Sequence, residues 1–209
     1  MCAVIVLAAG SGSRFTAGLH KLAAPFGEQS VLATTLRHAI ASNLNVVVVT
    51  TAPLAELARS SVAARDVVLV PEVGSEGQSG LGIGHSISAG VSARPHAGGW
   101  LILPGDMPLV QPSTLQAVAR QLGQHSVAYA QHRGKRGHPV GFAAELYSEL
   151  VALTGDEGAR RLVARYPAFG VELDDPGTLI DIDTPDDLSS ARSAASAVAA
   201  LRSTDRLRP

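Results

Sequence analysis

The side chains able to do chemistry in this 209-residue chain cluster at a few points. Gly10 and Gly12 follow a short apolar run, Ala3–Leu7, within Leu7–Phe15 (LAAGSGSRF). Glycines there let the backbone approach a ligand closely, and successive N–H groups can form an anion-binding nest. Arg14 adds a planar fork for phosphate and Lys21 a mobile point charge. A second apolar run, Trp100–Leu103, leads through Pro104 and Gly105 into Asp106, and a third, Leu179–Ile182, into Asp183. Mg²⁺ takes one or two protein carboxylates and completes its shell with water and phosphate oxygens. Two carboxylates at strand ends, near a loop built for phosphates, match that need. The plainer alternative makes the glycines an ordinary turn, Asp106 a turn residue beside Gly105 and Pro108, and Asp183 a carboxylate favoured by a helix N-terminus.

Other phosphate grips fail on detail. A P-loop needs Gly-Lys-Ser/Thr after four intervening residues, which this stretch lacks. A dinucleotide fingerprint needs Gly where Phe15 stands, and an acidic residue where the next run ends in Val49-Thr50. His20, His38, His85, His96 and His125 are scattered, and His132 and His138 fall in one basic stretch. With a single cysteine, Cys2, that spacing argues against structural zinc.

The elements that must position these residues follow from periodicity. Ala3–Leu7, Val46–Thr50, Val67–Val70, Trp100–Leu103 and Val127–Ala130 are continuous apolar runs, as strands buried on both faces require. Phe169–Leu173 reads as a further strand. Helices are predicted around Leu32–Ile40, from Pro112 to Leu122, over Ala143–Leu153 and Gly158–Ala164, and from Thr184 onward, where Asp187 stands in capping-box spacing. His132–Pro139 reads as a basic, glycine-containing loop. The expected fold class is α/β: a single doubly wound, mostly parallel sheet with helices on both faces and ligands at the carboxyl ends of the strands. One domain spans residues 1–200, and 201–209 form a frayed polar tail.

Composition narrows the function classes. Apolar residues make up 46%, aromatics 4% and charged residues 17%, with a net charge of −1. Alanine, valine and leucine must therefore do the packing. That balance opposes a non-specific nucleic-acid binder, which needs excess Lys and Arg, and opposes intrinsic disorder. No apolar run approaches a membrane span of roughly 18 residues, and no secretory signal is visible. One cysteine points to a reducing compartment, so the expected location is cytoplasmic, with neither nucleic-acid nor membrane partners.

Assembled in order, these motifs resemble the MobA-like nucleotidyltransferases, and among them the molybdenum cofactor cytidylyltransferases. LAAGSGSRF is similar to the family's signature loop, with Lys21 as its downstream lysine. Gly82–Gly90 (GIGHSISAG) resembles its glycine-serine segment before a helix, Gly105–Val110 (GDMPLV) its metal-binding strand end, and Arg136–Phe142 (RGHPVGF) its acceptor-facing segment. Gly155–Arg160 (GDEGAR) and Asp181–Leu188 (DIDTPDDL) resemble two further signatures. Leu-Ala-Ala-Gly and Gly-Asp-Met-Pro resemble the CTP-using branch. The stretch between Arg14 and Lys21 is longer than the family's usual spacing.

The resemblance implies a Rossmann-like nucleotidyltransferase fold and transfer of CMP from CTP to the phosphate of molybdopterin, with Mg²⁺ and release of pyrophosphate. It implies catalytic roles for Arg14, Lys21 and Asp106, and metal ligation by Asp106 and Asp183. Nucleotide binding falls to Leu7, Ala8, Ala9, Gly10, Ser11, Gly12, Ser13, Arg14, Lys21, Gly80, Gly82, Ser86 and Gly105. Acceptor binding falls to His138, Pro139 and Gly141, and the downstream partner is a molybdoenzyme or its chaperone. The alternatives are a transferase using GTP or a sugar phosphate, an NAD(P)H-dependent oxidoreductase on the same scaffold, and a non-catalytic pterin-binding module.

Overall fold

The apolar runs assemble into a seven-stranded sheet in the computed structural model, which describes residues 1–10, 12, 15, 19–71 and 82–205, with 198–205 as backbone. The chain order is β1 (Ala3–Ala8), β2 (Pro25–Phe26), β3 (Gln29–Ser30), α1 (Val31–Ala41), β4 (Asn45–Thr50), α2 (Ala55–Arg59), β5 (Val67–Leu69) and α3 (Ile83–Ser92). There follow β6 (Gly99–Pro104), α4 (Pro112–Gln121), β7 (Val127–His132), β8 (Lys135–Ala143), α5 (Tyr147–Val151), α6 (Arg160–Arg165), β9 (Ala168–Glu172) and α7 (Pro185–Asp205). The sheet order is β5-β4-β1-β6-β8-β7-β9, with β2 and β3 forming a separate hairpin. Strand β8 runs antiparallel to both its neighbours, and the other pairings in the large sheet are parallel.

Successive side chains of a strand point to opposite faces, so buried apolar runs feed two cores. Val4 and Val6 of β1 pack with Leu32 and Leu36 of α1, Leu115 and Val118 of α4, and Leu188 and Ala191 of α7. Ala3 and Ile5 pack on the other face with Ile87 and Val91 of α3, Leu150 of α5 and Leu162 of α6. Helices therefore cover both faces, the doubly wound arrangement expected. Among the described residues no helix is long and apolar enough to cross a membrane.

Four expectations are corrected. The stretch His132–Pro139 is not a loop: β7 runs to His132, Arg133 and Gly134 make the turn, and β8 carries the chain back through the sheet. Gly137, Pro139 and Gly141 hid this strand, since glycine and proline are poor strand formers. Each has a local reason. A Cβ on Gly137 would lie 2.2 Å from the Thr178 carbonyl oxygen, and one on Gly141 would lie 2.8 Å from Leu101 Cδ2. Pairing with β7 shifts register between Tyr129 and Gln131, opposite the segment that contains Pro139, where a missing N–H is tolerated.

Gly82–Gly90 is not a segment before a helix but largely α3 itself. Ala143–Leu153 splits into a 3₁₀ turn, Ala144–Leu146, and α5. Leu179–Ile182 is not a strand: it follows a 3₁₀ turn, Pro176–Leu179, and crosses to α7 as irregular backbone. Helix α7 continues to Asp205, and the last residues of the anticipated tail lie outside those described.

Candidate active site

Asp106 and Asp183, 77 positions apart in sequence, meet at one point, the ammonium of Lys21. Lys21 Nζ donates to Asp106 Oδ2 at 2.6 Å and to Asp183 Oδ1 at 2.7 Å. All three side chains are largely enclosed, with 13%, 15% and 25% of Lys21, Asp106 and Asp183 exposed. Burial alone would lower the lysine's pKa, but the charge and hydrogen bond of Asp106, joined by those of Asp183, outweigh it and raise the pKa above its ordinary value. Lys21 is therefore a cation at every physiological pH.

The carboxyl ends of β1 and β6 supply the first half of this cluster. The Gly105 N–H donates to the Leu7 carbonyl at 2.8 Å, and Thr35 of α1 donates its hydroxyl to the Gly105 carbonyl at 2.9 Å. A Cβ on Gly105 would stand 2.9 Å from the Leu7 oxygen, so only glycine lets the turn close over β1 and aim Asp106. Thr50 donates to the Ala8 carbonyl at 3.1 Å, tying the end of β1 to β4.

Lys21 opens a 3₁₀ turn, Lys21–Ala23, capped by His20. His20 Nδ1 accepts from the Leu22 N–H at 3.2 Å, which leaves Nε2–H to donate to the Gly10 carbonyl at 2.9 Å. Gly12, at φ +61°, lies within 3.4 Å of both His20 and Lys21 when given a Cβ. His20 thus staples the opening loop to the lysine turn. By spacing it is one of several scattered histidines, although its place directly before Lys21 is the signal of a cap.

Asp183 reaches the cluster from irregular backbone. The Ile182 N–H donates to the Asp106 carbonyl at 3.0 Å, joining the two carboxylate-bearing segments directly. On the other side Asp187 Oδ2 accepts from the N–H groups of Asp183 (3.2 Å) and Thr184 (2.8 Å) and from the Thr184 hydroxyl (2.7 Å). The Asp187 N–H returns to Thr184 Oγ1 at 3.2 Å, completing the expected capping box. Those bonds, the Thr184 hydroxyl foremost, hold the Asp187 carboxyl below its ordinary pKa.

Beside this cluster a cavity of about 610 Å³ opens between β8, α3 and α6. His138, Val140 and Phe142 of β8 line it with Ile83 and Ile87 of α3, and Arg136 and Arg160 face it together with Asp156 and Glu157, so its rim carries both signs of charge. Burial, the largest influence, lowers the pKa of His138 from its ordinary value, against a smaller upward pull from the Ile102 backbone and the charge of Asp106. His138 Nδ1 is buried without a hydrogen-bond partner among the described residues.

The anticipated residues divide accordingly. Lys21, Asp106 and Asp183 come together, with Gly10, Gly12 and Gly105 adjoining through the contacts above. Leu7, Ala8 and Ala9 form the end of β1 and its exit. His138 lines the cavity, whereas Pro139 does not, and Gly141 turns its Cα toward Leu101 and Leu122 in the opposite core. Gly141 packs on the face of β8 opposite His138, because alternate residues of a strand face opposite ways. Gly82 also serves packing: a Cβ there would lie 2.1 Å from the Gly155 backbone. Ser86 is buried in α3, its hydroxyl unpartnered among the described residues. Ser11, Ser13, Arg14 and Gly80 lie outside the described residues.

The donor set suits a hard divalent cation. Among the described residues no three His, Cys, Asp or Glu side chains converge as a protein-only cage. Two carboxylates, however, are the protein's usual share when phosphates and water complete the shell of Mg²⁺. Asp106 Oδ1 is buried without a partner among the described residues, and the lysine ammonium already stands where both carboxylates direct negative charge.

Residues 4–175 match the family model described as the MobA-like NTP transferase domain. The purine catabolism protein PucB of Bacillus subtilis is 31% identical, over 92% of this chain and 96% of its own length. Rv0371c of Mycobacterium tuberculosis H37Rv superposes with a TM-score of 0.76 at 26% identity, covering 90% of this chain and 95% of that one. Its complex with manganese superposes at 0.72 and 25% identity, covering 90% and 96%. The molybdopterin-guanine dinucleotide biosynthesis protein A of Archaeoglobus fulgidus shares the fold, with a TM-score of 0.67 at 21% identity over 93% of this chain and 98% of that one.

Proposed function

We propose that this chain, which belongs to the MobA-like NTP transferase family and is accordingly a nucleotidyltransferase, moves CMP from CTP to the terminal phosphate of molybdopterin, with Mg²⁺ as its divalent ion. An oxygen of the acceptor phosphate bonds to the α-phosphorus, and the bond from that phosphorus to the β-phosphate oxygen breaks, releasing pyrophosphate. The acceptor phosphate is already ionised at neutral pH, so no strong general base is required. The barrier falls instead through alignment and charge neutralisation.

Each residue has a role suited to that chemistry. Asp106 and Asp183 would hold the divalent ion, which when bound neutralises phosphate charge and draws two anionic reactants together. Lys21 counters charge on the departing pyrophosphate, joined by Arg14 from the opening loop. Gly10 and Gly12 leave backbone donors open to the nucleotide, and the segment that runs from Gly80 into the start of α3 contacts base and ribose. His138, kept neutral by burial, offers a hydrogen-bonding edge to the acceptor, and Arg136 draws its phosphate inward. The reaction is assigned to the cytoplasm, with product passing to a molybdoenzyme or its chaperone.

The observation that carries this reading is the shared cation: two carboxylates remote in sequence converge on Lys21 within 2.7 Å. Pyrophosphate release with CTP, Mg²⁺ and molybdopterin, against a control without acceptor and a panel of other nucleoside triphosphates, tests it. Acceptor-dependent release with CTP is expected. Release with GTP, or with a sugar phosphate as acceptor, would redirect the substrate assignment. Nicotinamide fluorescence quenching without any pyrophosphate release would favour the oxidoreductase alternative.

A further inference from the structure

Asp106 and Asp183 are held by unequal means. Asp106 follows a central strand, whereas Asp183 lies in backbone that no ladder pairs, between a 3₁₀ turn and α7. Something must fix that segment beside β6. We infer that Asp175, a buried carboxylate outside the cluster, is the positioning residue that locks the segment bearing Asp183 onto the segment that continues from Asp106.

Asp175 is only 5% exposed. Its Oδ2 accepts from the Gln111 N–H at 2.9 Å and the Thr114 hydroxyl at 2.6 Å, both at the start of α4. Its Oδ1 accepts from the Gly177 N–H at 3.1 Å, turning the chain sharply after Pro176. Thr178 donates its hydroxyl to the Asp175 carbonyl at 2.8 Å. The close fit extends through Gly177, where a Cβ would lie 2.4 Å from the Leu109 oxygen. At the far end of the segment stands the Ile182 bond to the Asp106 carbonyl. Two points of attachment, Asp175 and Ile182, therefore bracket the irregular backbone and deliver Asp183 to Lys21.

A carboxylate suits this task better than an apolar staple. Apolar packing is non-directional. Three hydrogen bonds from two segments fix the segment's path as well as its depth, and the N-terminus of α4 favours negative charge there. Outer residues that orient metal ligands typically matter by 10–100-fold in metal affinity. The inference rests on Asp106 and Asp183 being a metal-holding pair, and the experiment separates the two claims.

Mn²⁺ is titrated into the full chain without nucleotide, with free ion followed by electron paramagnetic resonance, for wild type, Asp175→Ala, Thr114→Val and Thr114→Ser. Thermal melts establish that each is folded at the working temperature. Asp175→Ala is expected to weaken Mn²⁺ binding by about 10–100-fold, Thr114→Val to weaken it less, and Thr114→Ser to restore it. A folded Asp175→Ala protein with wild-type Mn²⁺ affinity, whatever its melting temperature, overturns the inference. Should Asp175→Ala fail to fold, unchanged affinity in Thr114→Val overturns it equally. Absence of Mn²⁺ binding by wild type, with pyrophosphate present as well as without it, removes the metal pair itself, and the inference with it.

Discussion

Across the parallel half of the sheet, β1 keeps an unbroken register with β4 from Ala3↔Asn45 to Ala8↔Thr50, and with β6 from Ala3↔Trp100 to Leu7↔Pro104. The other half is built differently. There β8 runs backwards between β6 and β7, its pairing with β7 shifts register, and the chain beyond β9 passes the site as irregular backbone. The regular half presents Asp106 from the short turn after β6, and His20 ties Gly10, at the exit of β1, to the turn that carries Lys21. The irregular half shapes the cavity around His138 and brings in Asp183. Lys21 and Asp106 come from the half that varies least in geometry, and their third partner, Asp183, from the half that departs from it. Substitutions in the two halves should therefore fail in different ways.

The largest contrast is expected from Lys21→Ala. Loss of one preorganised charge stabiliser typically costs on the order of 10²–10³ in turnover, so kcat at saturating nucleotide should fall by that scale. Near-wild-type kcat would remove Lys21 from the chemistry. Gly137→Ala probes the irregular half. The new Cβ would meet the Thr178 oxygen at 2.2 Å, and overpacking of this kind costs about 1–3 kcal/mol. Urea unfolding should show that loss, and steady-state kinetics should show a raised KM for the acceptor with the nucleotide KM little changed. Equal change in both would erase the division between halves.

Thr184→Ala removes the hydroxyl that caps α7 and bonds Asp187. A loss of about 1 kcal/mol is expected, again by urea unfolding. The smallest effect concerns pH. Burial holds the folded pKa of His138 below its ordinary value of 6.5, so the unfolded chain takes up a proton first as pH falls. Wild-type stability should therefore decline below about pH 6.5, until the lower folded pKa is reached, and be indifferent to this group above about pH 7.5. Denaturation curves of His138→Gln should lack that share of the acid slope. An unchanged slope would mean that His138 is not buried as described.

Much of this was legible in the sequence, for identifiable reasons. Continuous Val, Ile and Leu runs marked the inner parallel strands β1, β4 and β6 because both their faces are largely buried, whereas β5 and β9 at the sheet edges are half-exposed. The capping box at Thr184 and Asp187 was visible because a helix start has local chemistry. Strand β8 was hidden because Gly137 and Gly141 answer to the close approach of Thr178 and Leu101, partners far along the chain. His20 and Asp175 escaped for the same reason: their bonds to Gly10, Gln111 and Thr114 exist only once the chain has folded. The pairing of Asp106 with Asp183 was anticipated from chemistry, but Lys21 between them was not, since it had been read as reaching only toward phosphate.

A double-mutant cycle on the carboxylates tests the central claim most directly. Divalent-dependent pyrophosphate release is measured for Asp106→Ala, Asp183→Ala and the double variant, each folded and at saturating nucleotide. If both hold one ion, removing the second should add little to the loss caused by the first, because groups that act as a unit are strongly non-additive. Losses that multiply in the double variant would show two independent sites, and would contradict the account.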